Sequence, residues 1–355
     1  MINICIFNGN MSRGGGTERI TQILANNLSK LCEYNVFVLN LNNEAEESYY
    51  PLDKNISFDI LKSKSLYRKI IELFFYLKKK RIDILIDVDV MLGIYSLPAL
   101  IFNFRTKLVS WEMFNINNNI GSSHTELIRK LCLRKSAYYI TQTQGDMEEF
   151  KRRMPVKCQL EYIYNPVEMK TDTNQYDTNS KIIVSAGHFF RDKGFDLAVE
   201  VGKIVFSKHS EWKWEIYGDG PEYENVKKQI ESYGLQNNMV LCGRTKDMPS
   251  VYKKASMYVM TSRTEGFGLV LTEAKSYKLP TLSFDIDFGP REIIDHNVSG
   301  YLVKSFDVNE MAERILELIE DSEKRVSFAE HSMDNCEKFS ISHFIYKWIE
   351  VIKKL

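Results

Sequence analysis

The chain of 355 residues predicts an α/β protein of two doubly wound, Rossmann-like domains, and three observations predict it. Short apolar, β-branched runs alternate with amphipathic stretches along most of the sequence, the rhythm of βαβ units around a parallel sheet. The rhythm breaks once, in a polar segment after Asn165, and then restarts. The length also exceeds what a single hydrophobic core normally supports. A ligand is then expected outside the carboxyl ends of the strands, in a cleft that the two domains face.

The first series reads INICIF, ERITQILANNLSKL, NVFVLNL, KIIELFFYLKKK, IDILIDV, KLVSWEM, ELIRKLCL and YYITQT, which places a first domain over residues 1–165. Residues 166–181 include VEMKTDTNQYDTNSK, lack apolar periodicity and read as a linker. A second series runs KIIVSAGHFF, GFDLAVEVGKIVFSKH, WKWEIYG, EYENVKKQIESYG, MVLCGR, SMYVMTS, LVLTEAKSY and TLSFDI, placing a second domain over 182–338. Residues 339–355 read as a closing amphipathic helix able to pack back on the first domain.

Apolar content of 44% with 26% charged residues is ordinary for a soluble globular protein. No stretch approaches the run of about 18 apolar residues that spans a membrane, and MINICIFNGN lacks the basic start of a signal peptide. A cytoplasmic protein is expected. Six cysteines without CxxC spacing suit reduced thiols rather than zinc. The formal net charge of zero conceals an asymmetry: residues 1–165 carry 22 Lys+Arg against 17 Asp+Glu, leaving 25 against 30 for the rest. Basic residues bunch in KSKSLYRKIIELFFYLKKKR (62–81), where Leu66, Ile70, Leu73, Phe74 and Leu77 recur at helical spacing. This predicts an amphipathic helix with a basic rim, packed on its own domain or touching an anionic membrane surface. No nucleic-acid-binding module accompanies it, and no nucleic-acid partner is expected.

Chemistry is expected at four places. FNGNMSRGGGTER (Phe7 to Arg19) is a glycine-rich first βα turn, with Gly15 and Gly16 letting backbone approach a phosphate or sugar, and Thr17 capping the helix that follows. It matches neither GxGxxG nor GxxxxGK[ST], which weakens nicotinamide and P-loop readings. AGHFFRDKGFD places Arg191 and Lys193 where a loop enters a helix, suited to pairing with a diphosphate. TEGFGLVLTEAKSYKLP (Thr264 to Pro280) reads as a glycine turn into a helix beginning near Gly268. Glu265 then lies in the loop, Glu273 about one and a half turns inside the helix, and the first N–H groups form an anion site. IYGDGPE, with Gly220, and CGR, with Arg244, are loops at strand ends placed to meet a base or ribose. The Asp87-Val88-Asp89 pair lacks a third ligand, so no metal is expected there. The absence of HExxH and GxSxG excludes zincins and serine-hydrolase triads.

Taken in order, the glycine turn with its TER entry, KGFD, GDGPE, GR, the two glutamates eight residues apart, the following LP, and GPREII with a later Gly300 resemble the retaining glycosyltransferases of family four, which have the GT-B fold. The resemblance runs along almost the whole chain and is most specific over Lys181 to Val303. It implies a nucleotide-sugar donor, UDP-linked and of Gal, GalNAc or Glc type, held mainly by the C-terminal domain. It implies a lipid-linked saccharide acceptor held mainly by the N-terminal one, at the inner membrane face, in capsule, O-antigen or exopolysaccharide assembly.

By position, the resemblance gives Glu273 the ribose hydroxyls, Glu265 the transferred sugar, Lys193 the diphosphate, and the N–H groups of Gly266, Phe267, Gly268 and Leu269 the sugar and diphosphate. It implies no metal and no cofactor. Two positions depart from the family pattern. Gly187-His188 stands where Gly-Arg is usual, so Arg191 is expected to supply the cation while His188 joins the donor site. Met113 stands in WEMFN where similar proteins carry His, leaving Glu112 and Asn115 as polar candidates on the acceptor side. With no protein nucleophile in view, displacement on the front face with retention is expected. Two rival readings are a nucleotide-sugar 2-epimerase of the same fold, opposed by the GFG between the glutamates, and a non-catalytic sugar- or membrane-binding protein, opposed by Glu265, Glu273 and Lys193 together.

Overall fold

The computed structural model describes residues 1–42, 46–118, 124–169 and 176–355; residues 170–175 of the expected linker lie outside them. The chain forms two compact units, Met1–Pro166 with Ile341–Leu355, and Val167–Ser340. Among the described residues no helix is long and apolar enough to cross a membrane.

The first unit is built on a seven-stranded sheet in the order β3-β2-β1-β4-β5-β6-β7. Its strands are β1 (Ile2–Asn8), β2 (Tyr34–Asn40), β3 (Ser57–Ile60), β4 (Ile84–Val88), β5 (Lys107–Trp111), β6 (Tyr138–Thr141) and β7 (Gln159–Tyr162). All are parallel. The helices are α1 (Gly16–Leu28), α2 (Leu66–Lys79), α3 (Gly93–Leu100), α4 (Thr125–Lys135) and α5 (Gln144–Arg153). Helices on both faces explain why ILIDV of β4 is buried at every position and reads as an unbroken run. The edge strands β3 and β7 escape the sequence reading because SFDI and QLEY are only partly buried and carry no apolar signature. The order reverses at β1, which pairs with β2 on one side and β4 on the other, so the topological switch point lies between β1 and β4.

Three helices of this unit carry detail that matters below. The N-cap of α1 is Gly15, with no side-chain cap, so the expected capping role of Thr17 is corrected. Glu18 occupies the space instead: a Cβ on Gly15 would lie 2.6 Å from its Oε2. On α2, Leu73 and Leu77 are buried and Ile70 and Phe74 pack against the core, whereas Tyr67, Ile71 and Phe75 are 78%, 55% and 62% exposed. The final helix, α13 (Ile341–Lys353), belongs to this unit. Its Trp348 and Phe344 rings lie 4.7 and 6.0 Å from Trp111, and all three side chains are buried.

The second unit holds a six-stranded parallel sheet in the order β10-β9-β8-β11-β12-β13. Its strands are β8 (Ile182–Ala186), β9 (Lys213–Tyr217), β10 (Met239–Gly243), β11 (Met257–Met260), β12 (Thr281–Asp285) and β13 (Gly300–Lys304). The helices are α6 (Phe195–Lys208), α7 (Tyr223–Ser232), α8 (Met248–Lys254), α9 (Leu269–Ser276), α10 (Pro290–Ile293), α11 (Val308–Glu320) and α12 (Ser322–Glu330), with α13 (Ile341–Lys353) returning to the first unit. Here the switch point lies between β8 and β11.

Candidate functional site

The loops leaving β8 and β11 meet at the switch point of the second unit. A single short turn over Arg191–Lys193 follows β8 and ends on Gly194, whose φ of 63° only glycine adopts freely and whose absent Cβ would lie 2.0 Å from the Thr261 carbonyl oxygen. That close approach brings Lys193 Nζ to 2.7 Å from Glu265 Oε1. Ser262 Oγ donates to the same oxygen at 2.6 Å. Burial is the largest single influence on the Lys193 ammonium and would lower it, but the Glu265 charge, the Glu265 hydrogen bond and the Asp192 charge together hold it above its ordinary value. The pair is thus a retained cation and a carboxylate at the crevice where open α/β sheets bind ligands.

Arg263 ties the two loops and was not singled out from sequence. Its Nη1 and Nη2 donate to Asp196 Oδ1 and Oδ2, each at 2.7 Å, its Nη1 also donates to the Arg191 carbonyl at 2.8 Å, and its backbone N–H donates to the Asp192 carbonyl at 2.6 Å. Burial would raise the Asp196 carboxyl, yet these hydrogen bonds hold it below its usual range. The signal was present: Arg263 adjoins TEGFG and Asp196 closes KGFD, two segments of opposite charge at adjoining strand ends.

Helix α9 starts at Leu269, with Gly268 as a left-handed N-cap at φ 99°. The turn before it is pinned from below by the buried Phe267 ring, 5.6 Å from Phe339. A Cβ on Gly289 would lie 2.1 Å from the Phe267 carbonyl oxygen, so the loop after β12 packs directly on this turn. Leu269 and Gly266 stay half-buried and the first N–H groups of α9 face the turn. Glu273, one turn on, accepts a hydrogen bond from the Tyr252 hydroxyl at 3.1 Å; the Tyr252 side chain is otherwise buried.

Gly220 and Arg244 are joined by Asp219, whose Oδ1 accepts from Arg244 Nε at 2.7 Å. Gly220 cannot carry a side chain without meeting the Phe189 backbone at 2.8 Å, which seats the GDGPE loop against the His188 loop. His188 and Arg191 are both exposed on that loop. The structure therefore gathers His188, Arg191, Lys193 and Glu265 around the β8 and β11 ends, with Gly220 beside them.

The first unit carries its own concavity at the carboxyl ends of β1 and β4, a cavity of about 740 Å³ lined by Asn10, Arg13, Thr17, Glu18, Asp89, Tyr95 and Phe114, among others. Gly15 and Gly16 open α1 next to Thr17 and Glu18 of its wall. Asp87 is fully buried and accepts from Ser96 Oγ; burial pushes its carboxyl up to about 8, so it is protonated at pH 7. Among the described residues no group of three or more His, Cys, Asp or Glu side chains could hold a metal ion.

The acceptor-side expectation for Glu112 and Asn115 is corrected by burial. The Glu112 carboxylate is fully buried and receives Arg129 Nε at 2.8 Å, Arg129 Nη2 at 3.2 Å, the Tyr139 hydroxyl at 2.7 Å and the Phe114 N–H at 3.2 Å. It is the counter-ion of a buried arginine, which could not be left unpaired in the interior. Asn115 is also buried, and its Oδ1 accepts the N–H groups of Asn117 and Asn118 at 2.9 and 3.0 Å, closing its own turn. Met113 packs inside, with its sulfur accepting from Gln142.

Residues 168–333, almost all of the second unit, match the family described as glycosyl transferases group 1. The chain is 27% identical to an uncharacterized glycosyltransferase of Haemophilus influenzae over 98% of its own length and 99% of that protein. It is 26% identical to the amylovoran biosynthesis glycosyltransferase AmsD of Erwinia amylovora, over 99% of this chain and 100% of that one. The crystal structure of Anabaena HepE in complex with UDP and glucose shares the fold, with a TM-score of 0.85 over 100% of both chains at 18% identity.

Proposed function

We propose, from the match of residues 168–333 to the glycosyl transferases group 1, that the protein moves a hexose from a UDP-sugar to a hydroxyl of a lipid-linked saccharide in surface-polysaccharide assembly, with retention at the anomeric carbon. The observation that carries this reading is the Lys193–Glu265 pair, held at 2.7 Å at the switch point beside the start of α9. Lys193, Arg191 and the first N–H groups of α9 supply positive charge where a diphosphate leaves. Glu265 orients the sugar, and Glu273, braced by Tyr252, takes the ribose hydroxyls. As the bond between the anomeric carbon and the diphosphate oxygen breaks, the acceptor oxygen bonds to the same face of that carbon. Its proton passes to the departing diphosphate oxygen. In this reading the protein's own cations carry the charge stabilisation without a metal.

Calorimetry with UDP, GDP and ADP tests the donor site. UDP is expected to bind in preference, and Glu273→Ala to weaken it about tenfold or more, the worth of a charged hydrogen bond of about 1.5–3 kcal/mol. If the folded wild type binds no nucleotide, the transferase reading fails and a non-catalytic sugar- or membrane-binding protein replaces it.

The membrane side of the reading rests on α2. Ile70, Leu73, Phe74 and Leu77 of its expected apolar face are used in the core while Leu66 is 42% exposed, and Tyr67, Ile71 and Phe75 form a second, exposed stripe at four-residue spacing, close to Lys64, Arg68, Lys78 and Lys79. We expect Ile71→Glu with Phe75→Glu to cut sedimentation with phosphatidylglycerol vesicles at least tenfold while leaving UDP affinity unchanged. Undiminished vesicle binding would remove α2 from the membrane contact.

A further inference from the structure

Three large apolar side chains stand in water within four residues: Ile101, Phe102 and Phe104 are 59%, 76% and 89% exposed, in the loop between α3 and β5. Single exposed hydrophobics are ordinary, but a cluster on one surface marks a contact. The loop is not loose chain that could turn them inward. Asn103, between the two phenylalanines, is buried, and its Nδ2 donates to Thr106 Oγ1 at 3.0 Å. Thr106 Oγ1 in turn donates to the Ile82 carbonyl at 2.7 Å, and Arg105 Nε and Nη2 donate to Asp83 Oδ1 at 3.0 and 2.7 Å. With Asn103 held inside, Phe102 and Phe104 point outward.

Beside the loop lies a cavity of about 710 Å³, lined by Ile101, Phe104, Leu108 and Leu131 among others. Its polar wall is already satisfied, since Ser136 Oγ shares a hydrogen bond with Ser110 Oγ at 2.8 Å and Asn103 and Thr106 bond as above. Its charges have one sign. Lys107 and Lys135 line it, no Asp or Glu does, and neither lysine has an ion pair among the described residues. The same loop abuts the end of α2, because Ile82 and Asp83 follow that helix, whose last turn carries Lys78 and Lys79. A protein partner would be met by a rim of mixed hydrogen-bonding groups. This rim offers lysines on long stems, which suit the diffuse negative surface of a bilayer.

We propose that this groove and its loop dock on an anionic phospholipid bilayer, with Ile101, Phe102 and Phe104 among the acyl chains and the Lys107 and Lys135 ammonium groups at the phosphates. The contact adds to the one on α2 and is independent of the transferase reading.

All four tryptophans are 3% exposed or less, so Phe104→Trp supplies the one exposed indole. The full chain is mixed with vesicles of equal parts phosphatidylglycerol and phosphatidylcholine, the latter with or without bromine on its chains. Bromine is expected to remove about half of the emission that Phe104→Trp adds and to leave the wild type unchanged. Ile101→Glu with Leu131→Glu, and separately Lys107→Gln with Lys135→Gln, are expected to weaken sedimentation with these vesicles about tenfold or more. Melting temperature and UDP affinity should stay at wild-type values, since all four positions are exposed. A wild type that does not sediment, emission indifferent to bromine, or wild-type sedimentation of both paired variants would overturn the proposal. Quenching lost with Ile71→Glu and Phe75→Glu but kept with Ile101→Glu and Leu131→Glu would overturn it too, leaving α2 as the whole contact. A wild type that self-associates without lipid, and becomes monomeric with Ile101→Glu and Leu131→Glu, would give the groove to a second copy instead. Failure to bind UDP bears on the transferase reading alone.

Discussion

Replacing Lys193 with methionine is expected to lower the rate of glycosyl transfer by about a hundred- to a thousandfold, the usual loss when one preorganised charge is removed from a site of developing negative charge. The effect should fall mainly on kcat, because Arg191 and the α9 N–H groups remain to hold the donor's ground state. Lys193→Arg should restore only part of it: the close contact between the β8 and β11 loops fits a compact ammonium, and Arg263 already occupies the neighbouring space with its fork on Asp196. The pH dependence follows from the sign of the shift. A lysine raised above its ordinary value stays cationic below about pH 10, so its contribution is intact through the neutral range and disappears only at strongly alkaline pH. An alkaline limb between pH 7 and 9 that vanishes in Lys193→Met would contradict this, as would a methionine variant with near wild-type kcat.

The largest expected effect on stability is at Arg129. Both Arg129 and Glu112 are essentially inaccessible, so Arg129→Met leaves a buried carboxylate with only the Tyr139 hydroxyl and the Phe114 N–H. Breaking one side of such a pair costs about 3–5 kcal/mol, and urea unfolding of the first unit should show it. The double change Arg129→Met with Glu112→Gln should recover part of the loss, since the uncompensated charge is gone. If Glu112→Gln alone instead abolished transfer with no loss of stability, the interior role assigned to Glu112 would be wrong.

What could be read from the sequence was what depends on neighbours along the chain. Strands buried on both faces announce themselves as apolar runs, and the glycines of TEGFG mark a turn because Gly268 needs its left-handed φ. Edge strands such as β3 and β7 give no such signal, and α5, QGDMEEFKRR, is too polar to show a face. That Lys193 and Glu265 serve one donor site was expected, but their direct ion pair was not. Lys193 and Glu265 are 72 positions apart and meet only because β8 and β11 are neighbours in the sheet. Glu112 looked like a polar residue in a loop; its partner Arg129 looked like one charge among several on ELIRKLCL, and nothing local distinguishes a buried arginine from a solvated one.

Helix α13 completes the first unit although it follows the whole of the second in the chain. During synthesis the seven-stranded sheet emerges early, with the face of β5 that bears Trp111 uncovered, and its missing helix is made only after residues 167–340. At roughly 5–20 residues per second, that exposed indole waits on the order of ten seconds or more for Trp348. The second unit, contiguous in the chain, is under no such delay and can finish first. A nascent chain of this protein therefore offers chaperones a defined apolar target, and a released chain truncated after residue 340 should have a second unit that resists protease while its first does not.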